Sequence, residues 1–399
     1  MKSLWVPATI ALLGVFAGGQ LNAEQSDLRT LKFGMSTALT GPAGALGREV
    51  RIGVEAAFAE RNRNGGIASQ ELELVVLDDA YEPKQTVPNM RTLIEEEAVL
   101  GIIANVGTPT AIAAMPIAIA NKTPFIAAYS GGSVLRKEPT ERYVINYRAS
   151  YLQETREIVS ALMRYAGCKP NEIAFFTQRD AFGDAGYFGG VDVLREHGIK
   201  DKHQILHVRY ERNTMAIEGA LAELLLSPVP PKAVIMVGAY GPCAKFIKLA
   251  KSSGLDVIFA NVSFVGAESL ASLLGDEGEN VIVTQVVPHP ESDLPIAKEF
   301  RAAFSAIKSD ATPTFGALEG YIAARMLIHA LDSCEGEITR DAIVDAFDGL
   351  GEFDLGLERP LYLSTTHHQA SDSVWPTVIH SENVQPMRWE EIIVDAKIE

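Results

Sequence analysis

The chain has 399 residues, of which 47% are hydrophobic and 22% charged, and its formal net charge is −16. That length suits two domains of ordinary size, and the composition excludes an intrinsically disordered chain. An acidic chain repels phosphate backbones, so nucleic acid is not expected as a partner.

The first 23 residues predict a secretory signal peptide. Lys2 supplies a positive end, residues 4–16 are almost wholly apolar, and Leu21-Asn22-Ala23 ends in a small residue, as a cleavage site does. The apolar run is shorter than the roughly 20 residues that a membrane span needs, which disfavours an anchor. We therefore predict a periplasmic protein that is secreted through this segment.

From residue 31 onward, predicted strands and helices alternate. The first strand leads through the loop 40–47 into an amphipathic helix, which ends at Asn64-Gly65-Gly66-Ile67. A short apolar run, 72–77, is typical of a buried strand and ends at Asp78-Asp79. The remaining predicted elements of this half are strand 100–104, helix 110–120 and strand 124–128.

The alternation restarts near residues 143–148, which predicts a second domain of the same kind. Its predicted strands are 173–177, 205–210, 233–237, 256–260 and 281–287, with helices between them. Three helices follow, at about 295, 315–333 and 339–347, and short strands at 361–363, 374–379 and 389–394 end the chain. Strands that alternate with helices indicate a mainly parallel sheet in each domain, the doubly wound α/β class.

No catalytic or cofactor-binding set emerges from the sequence. Gly41, Gly44 and Gly47 are spaced three apart, which is not the dinucleotide fingerprint, and no phosphate-loop lysine follows them. Asp78-Asp79 is predicted to cap a turn rather than to act as an acid and base pair. We predict that the protein is not an enzyme and binds no cofactor.

The cysteines and histidines do not predict a metal site either. Cys168, Cys243 and Cys334 lie far apart without metal-ligand spacing, so free thiols are favoured, and one long-range disulfide stays open as an alternative. The adjacent His367-His368 is predicted to be a pair of exposed loop histidines.

Polar and glycine residues follow the third and fourth predicted strands. One loop holds Gly107 and Thr108, and the other holds Ser130 and Gly131. Each loop is predicted to lead into a helix, whose first N–H groups are unpaired and carry the positive end of the dipole. Two such ends and the hydroxyls of Thr108 and Ser130 predict a carboxylate site, with simple helix capping as the alternative.

Aromatic residues follow strands of the second half. Phe182, Tyr240 and Phe264 fall on predicted loops, outside the periodic helix faces. Loop aromatics often line the apolar walls of ligand sites, and packing over the ends of their own helices is the alternative.

These loops, in this order, resemble the branched-chain amino-acid-type solute-binding proteins, the type I periplasmic binding proteins of ABC transporters. The resemblance runs from about residue 31 to at least residue 331. Its best local matches are Leu39-Thr40-Gly41-Pro42, Asn64-Gly65-Gly66-Ile67 with Asp78-Asp79, Asp180-Ala181-Phe182-Gly183 and Leu318-Glu319-Gly320-Tyr321.

The resemblance implies two doubly wound parallel-sheet lobes joined by a hinge of three crossings. The N-terminal lobe would hold residues 31–146 and 288–357, and the C-terminal lobe residues 147–287 and 358–399. A small-molecule solute would be caught in the cleft, and the lobes would close over it. The implied partner is an ABC permease in the inner membrane, served by a monomeric receptor.

The resemblance also implies the ligand contacts. The positions matching Thr108, Ser130 and Gly131 hold the ligand's carboxylate and ammonium ends, and several others face the ligand. With Phe264 added from the aromatic loops, the predicted ligand-binding residues are Leu46, Thr108, Ser130, Gly131, Phe182, Tyr240, Ser263 and Phe264.

This sequence departs from the family at two of these positions. Members that bind branched-chain amino acids carry an acidic residue, which pairs with the ligand ammonium, at the position of Ser263, and an aromatic residue at that of Leu46. A buried ammonium without a counter-charge is costly, and Asp180 and Glu319 are the candidates left to supply one. A carboxylate with an apolar or aromatic tail therefore fits at least as well as leucine.

The predicted function is the capture of a small carboxylate-bearing solute, an amino acid or a relative of one, for an ABC importer. One alternative is a ligand-sensing module that serves a membrane kinase or chemoreceptor with the same fold. The other is an enzyme on a doubly wound scaffold, which would need a base and a nucleophile clustered in the cleft.

Overall fold

The computed structural model describes Met1, residues 30–308 and residues 310–392. The predicted signal peptide therefore lies outside the described residues, except for Met1. Two mainly parallel sheets, each covered by helices, organise the chain, and the predicted α/β class is confirmed. No helix of the described ranges has both the length and the apolar composition to cross a bilayer.

The first sheet is parallel throughout, in the order β2-β1-β3-β4-β5. Leu31 pairs with Leu72, and Phe33 with Gly101, so the carboxyl ends of the strands meet at one edge. Its strands are β1 (Leu31–Thr37), β2 (Leu72–Asp78), β3 (Gly101–Ile103), β4 (Phe125–Ile126) and β5 (Val144–Ile145).

The second sheet has the order β14-β13-β10-β9-β8-β6-β7, and β13 pairs antiparallel with both of its neighbours, β10 and β14, whereas the other neighbouring strands pair parallel. Every residue of β8 is buried, as expected for a central strand covered on both faces. Its strands are β6 (Ile173–Gln178), β7 (His207–Tyr210), β8 (Ala233–Val237), β9 (Ile258–Asn261), β10 (Ile282–Gln285), β13 (Trp375–His380) and β14 (Asn383–Pro386). A separate hairpin pairs β11 (Gly351–Phe353) with β12 (Leu361–Leu363).

Most of the described helices begin where the sequence offers a side-chain cap or a proline. Ser150 and Gln153 form a reciprocal capping box, and Asp180, Thr314 and Thr339 cap three others. The helices are α1 (Gly44–Arg63), α2 (Pro83–Arg91), α3 (Thr108–Ala120), α4 (Tyr151–Arg164), α5 (Ala181–Glu196), α6 (Glu218–Leu225), α7 (Tyr240–Ser252), α8 (Ala267–Leu274), α9 (Pro295–Ile307), α10 (Phe315–Asp332) and α11 (Arg340–Gly349).

The chain passes between the two halves three times. It leaves the first sheet after β5, returns after β10 when α9 and α10 pack against α1, and leaves again after β12. We call each sheet with its packed helices a lobe. The predicted boundaries 146/147 and 287/288 fall in such connections, whereas 357/358 falls in the turn of the β11–β12 hairpin.

Three local predictions were wrong. Strand β2 is an edge strand that is mostly half-buried, because only β1 pairs with it. The predicted strand 389–394 is a short 3₁₀ turn at Trp389–Glu391, and the part from residue 393 onward lies outside the described residues. His367 is exposed as predicted, but His368 is buried, where its Nε2 lies 2.7 Å from Asp348 Oδ1.

Candidate functional site

Two loops of the first lobe run side by side beyond the strand ends. Val106 and Tyr129 form an isolated parallel bridge, and Gly107 N–H donates to Tyr129 O at 3.1 Å. This pairing brings the buried hydroxyls of Thr108 and Ser130 to 2.7 Å from each other. The two predicted ligand loops therefore form one continuous polar surface.

A glycine is required where the first of these loops turns into α3. Gly107 has φ +100°, and a Cβ atom there would lie 2.1 Å from Cε2 of Tyr81. The loop after β4 differs from its prediction, since Ser133–Leu135 is a 3₁₀ turn and not a helix. Of the two helix N-termini predicted for these loops, the described residues therefore contain that of α3 alone.

Gly131 and Gly132 pack where a side chain would not fit. A Cβ atom on Gly131 would lie 2.6 Å from Tyr151 N, and one on Gly132 would lie 2.7 Å from Cγ2 of Thr108. Tyr151 N–H donates to Gly131 O at 2.9 Å, which ties this loop to the start of α4. Gly131 thus contacts the helix that begins the second lobe.

The predicted aromatic residues lie in first helical turns instead of in loops. Phe182 and Tyr240 are in α5 and α7, and Phe264 is in the 3₁₀ turn Ser263–Val265. Asp180, the N-cap of α5, accepts hydrogen bonds from Phe182 N–H at 3.0 Å and Gln178 Nε2 at 2.6 Å. Its capping role is structural and fixes the position of Phe182.

Aromatic rings from both lobes form one buried cluster around Phe264. Its ring centroid lies 4.6 Å from that of Phe182, 5.6 Å from Tyr129 and 5.8 Å from Tyr81, and Tyr151 contacts it edge-on. Rings at these distances attract each other beyond their area burial. The cluster joins the polar surface of the first lobe to the strand ends of the second.

Leu46 and Tyr240 meet at one side of this cluster. Leu46 is buried on α1, and a Cβ atom on Gly266 would lie 2.6 Å from its Cδ2 and 3.6 Å from Cδ1 of Tyr240. Ala45 N–H donates to Tyr240 Oη at 3.4 Å, across the two lobes. All eight predicted ligand-binding residues therefore lie around the contact between the lobes.

A buried guanidinium that the sequence analysis did not predict lies beside the aromatic cluster. Arg148, in the connection from β5 to α4, is 1% exposed, and its Cζ lies 5.0 Å from the ring centroid of Tyr129 and 5.6 Å from that of Tyr151. Its Nη2 donates to Ser263 Oγ. The sequence feature that could have pointed to Arg148 is its position between Tyr147 and Tyr151, at the domain boundary predicted near residues 143–148.

Glu154 on α4 balances this charge. Its Oε1 accepts from Ser263 Oγ at 3.0 Å and lies 3.3 Å from Arg148 Nη2. Its Oε2 accepts from Ser263 N–H at 2.8 Å and from Thr284 Oγ1 at 2.6 Å. Ser263 is therefore held between a cation and an anion of its own protein.

Glu319 on α10 approaches Arg148 from the first lobe. Its Oε1 lies 3.4 Å from Arg148 Nη1, and burial raises the pKa of Glu319 to about 7, although Arg148 draws it down. Burial would lower the pKa of Arg148, but Glu319, Tyr151 and Glu154 together hold it above its usual value.

Arg136 holds the loop after β4 in place. Its Nη1 donates to Ser130 O at 3.3 Å and Gly132 O at 3.1 Å, and its Nη2 donates to Arg148 O at 2.7 Å. Burial and the nearby charge of Arg148 lower the pKa of Arg136 to about 9. The site thus contains two guanidinium groups close together.

A second carboxylate pair spans the lobes outside the aromatic cluster. Glu49 is on α1, and Glu268 on α8 accepts from Phe315 N–H at 2.7 Å. Burial and the charge of Glu268 raise the pKa of Glu49, and burial raises that of Glu268. Asp78 and Asp79, the acidic pair noted in the sequence, accept backbone hydrogen bonds and cap the turn after β2, as predicted.

Several open surface cavities formed by described residues lie outside the aromatic cluster around Phe264. One of about 680 Å³ is in the second lobe beside Tyr187, His207 and Val229. Among the described residues, no group of three or more His, Cys, Asp or Glu side chains is placed to hold a metal ion. Cys168, Cys243 and Cys334 are free thiols.

Comparison with known proteins identifies relatives over most of the chain. A family model described as "Periplasmic binding protein" matches residues 30–383. The leucine-, isoleucine-, valine-, threonine- and alanine-binding protein of Pseudomonas aeruginosa is 23% identical over 347 residues, which cover 85% of this chain and 86% of that protein.

Solved structures agree with the fold. The structure of a possible leucine/isoleucine/valine-binding protein from Rhodopirellula baltica SH 1 is 48% identical in sequence and superposes with a TM-score of 0.91. The match covers 94% of this chain and 100% of that one. A branched-chain amino acid ABC transporter protein from Thermus thermophilus with bound valine has a TM-score of 0.77 over 90% of this chain and 96% of its own. At 17% identity, that likeness shows the fold alone.

Proposed function

Because this chain belongs to the periplasmic binding protein family, a family of solute-binding proteins, we propose that it is the periplasmic receptor of an ABC importer. In this proposal it captures a small carboxylate-bearing solute between its lobes and delivers it, as a monomer, to a permease in the inner membrane. The family membership and the amino-acid-binding relatives support the partner, and the predicted signal peptide supports the location.

One observation carries this proposal: binding groups of two kinds converge from opposite lobes. The first lobe contributes the hydroxyls of Thr108 and Ser130, 2.7 Å apart at the N-terminus of α3. The second contributes the aromatic side chains of Phe182 and Phe264. A few convergent polar groups against an apolar wall is the usual composition of a small-molecule site, and the helix N-terminus favours an anion.

Contacts between the lobes support closure over the solute. Gln178 Nε2 donates to Tyr81 Oη at 3.2 Å, and Arg212 Nη1 donates to Tyr81 O at 2.6 Å. Opening the cleft would break these contacts and expose the aromatic cluster to water. A solute that touches both lobes binds the closed form more tightly and so shifts the population towards it.

Solute binding to purified, ligand-stripped protein tests the function. We expect at least one member of a panel of amino acids, 2-oxo acids and aromatic acids to bind in calorimetry. At 100 times its Kd, that solute should stabilise the folded protein by about 2.7 kcal/mol. A stripped protein that binds no member of this panel would contradict the proposal.

A variant and a matched control locate the site. Ser130→Ala removes one of the paired hydroxyls, so we expect affinity to fall by about 5- to 30-fold, the usual effect of losing one buried hydrogen bond. Ser252→Ala removes a hydroxyl that donates to Leu249 O at the exposed end of α7, and it should leave affinity unchanged. Equal affinities of the two variants would place the solute elsewhere.

A further inference from the structure

Arg148 offers hydrogen-bond donors in a place where the family resemblance implies an acceptor. It is 1% exposed, and its Nε and Nη1 have no hydrogen-bond partner among the described residues. Nη1 lies 3.4 Å from Glu319 Oε1, outside hydrogen-bonding geometry. Buried donors without acceptors are costly, so an acceptor on a solute would be bound strongly here.

The carboxylate closest to Ser263 has no capacity left for an ammonium group. Glu154 already interacts with four donors, at 2.6 to 3.3 Å: Ser263 N–H, Ser263 Oγ, Thr284 Oγ1 and Arg148 Nη2. A carboxylate has about four lone-pair positions, so these donors occupy it fully. Asp180 is committed in the same way to capping α5.

Glu319, the carboxylate of the first lobe that pairs with Arg148, is poorly suited to be the only counter-charge. Burial raises the pKa of Glu319 to about 7, so this carboxyl is only partly ionised near pH 7, and it forms an ion pair with Arg148. Two guanidinium groups, those of Arg148 and Arg136, lie near Glu154 and Glu319. In the described part of the chain, Arg136 donates to carbonyl and amide oxygens. The unbonded donors of Arg148 therefore favour an added hydrogen-bond acceptor, and its charge repels an added cation beside it.

We propose that the solute is an organic acid without an α-ammonium group: a 2-oxo or 2-hydroxy acid with an apolar or aromatic side chain. Its carboxylate lies against the hydroxyls of Thr108 and Ser130, and its 2-oxygen accepts from Arg148. The aromatic cluster around Phe264 receives the side chain. This inference rests on the proposed function and names the solute class of the same site.

An α-amino acid would bring its ammonium group towards Arg148 in this arrangement. Two like charges in a site removed from water repel each other strongly, and neither could be hydrated there. The 2-oxo acid of the same carbon skeleton replaces that cation with a hydrogen-bond acceptor. Pairs of acids that differ only at this atom therefore isolate the effect.

Calorimetry on the ligand-stripped mature protein with two such pairs tests the inference. The probes are 4-methyl-2-oxopentanoate against L-leucine and phenylpyruvate against L-phenylalanine. We expect the oxo acid of at least one pair to bind about 100-fold more tightly or better, because the like-charge contact costs several kcal/mol. An amino acid that binds as tightly as its oxo acid overturns the inference and leaves the receptor function intact.

Failure of all four probes also overturns the inference. The receptor function then fails only if the wider carboxylate panel shows no binding either, so the two failures can be told apart. The comparison of pairs uses the unaltered protein and does not depend on the folding of any variant.

A substitution assigns the selectivity to Arg148. Arg148→Met keeps much of the volume and removes the donors, so we expect oxo-acid affinity to fall at least about 30-fold. Arg156→Met, on the exposed side of α4 where Arg156 pairs with Glu196, is the control and should bind normally. A folded Arg148→Met protein, checked by circular dichroism, that keeps full oxo-acid affinity contradicts the assignment.

Discussion

At the residue scale, Ser263 shows how a neutral side chain is accommodated where the family resemblance implies an acid. Its hydroxyl accepts from Arg148 and donates to Glu154 at 3.0 Å. The acidic group is present, but it comes from α4, and its charge is balanced within the protein. Glu154 and Ser263 are 109 positions apart in the chain, so no local pattern linked them.

The buried carboxylates give stability a pH dependence of defined sign. Burial raises the pKa of Glu319 to about 7, so the folded protein holds a proton there that the unfolded chain has released above about 4.5. Protons bound only by the folded state make stability fall as pH rises. The contribution of Glu319 to the free energy of unfolding is fully present below about pH 4.5 and is lost as pH rises to about 7.

We therefore expect the free energy of unfolding to decrease between pH 5 and pH 7 by on the order of 2 kcal/mol from this group. Glu319→Gln should flatten that decrease, because glutamine does not titrate, and Glu95→Gln at an exposed position should keep it. Denaturant unfolding at several pH values measures both. Glu49 and Glu268 act with the same sign, so an unchanged slope in Glu319→Gln would assign the effect to them.

At the element scale, the packing of α1 against α10 depends on glycines. A Cβ atom on Gly53 would lie 1.8 Å from Ala317 O, and one on Gly320 would lie 2.1 Å from Val50 O. The two helix backbones approach too closely for any side chain at these positions. Gly320 belongs to one of the strings that carry the family resemblance, and this contact gives a physical reason for it.

Gly320→Ala should destabilise the protein by about 1–3 kcal/mol or more, because the new methyl group would force the helix backbones apart. Gly219→Ala is the matched control within α6, where a Cβ atom would meet nothing within 4 Å. There, alanine should stabilise by up to about 1 kcal/mol through its better helix propensity. Equal effects of the two substitutions in thermal unfolding would contradict the close helix contact.

At the scale of the whole molecule, polar contacts between the lobes bias the opening of the cleft. Arg212 Nη1 lies 2.9 Å from Glu82 Oε2, and Asn213 Nδ2 donates to Glu82 Oε1 at 2.6 Å. These contacts lie at the rim of the lobe contact and are partly exposed. Solvent screening therefore limits the contribution of the ion pair to about 1 kcal/mol or less.

Arg212→Ala should lower solute affinity up to about fivefold without touching the paired hydroxyls, because it weakens only the closed form. The loss should appear mainly in the dissociation rate, which stopped-flow fluorescence measures. Arg195→Ala removes an ion pair within α5 and should change neither rate. A normal dissociation rate in Arg212→Ala would show that this contact does not contribute to closure.

The sequence by itself determined the elements and their class. Alternating apolar strands and amphipathic helices predicted two parallel-sheet units, and caps such as Ser150 and glycines such as Gly65 placed helix ends within a few residues. These features are local, since periodicity, capping and turn geometry act over a few positions. The loops that carry the predicted ligand-binding residues followed from the same rule about strand ends.

Only the tertiary structure decided what those loops face. It brought Arg148, Glu154 and Glu319 together from a connection and two helices, and it filled the contact between the lobes with rings from five separate segments. It also showed β2 as an edge strand, which depends on sheet order. Charge pairing and burial depend on distances between residues far apart in the chain, and a one-dimensional pattern does not contain those distances.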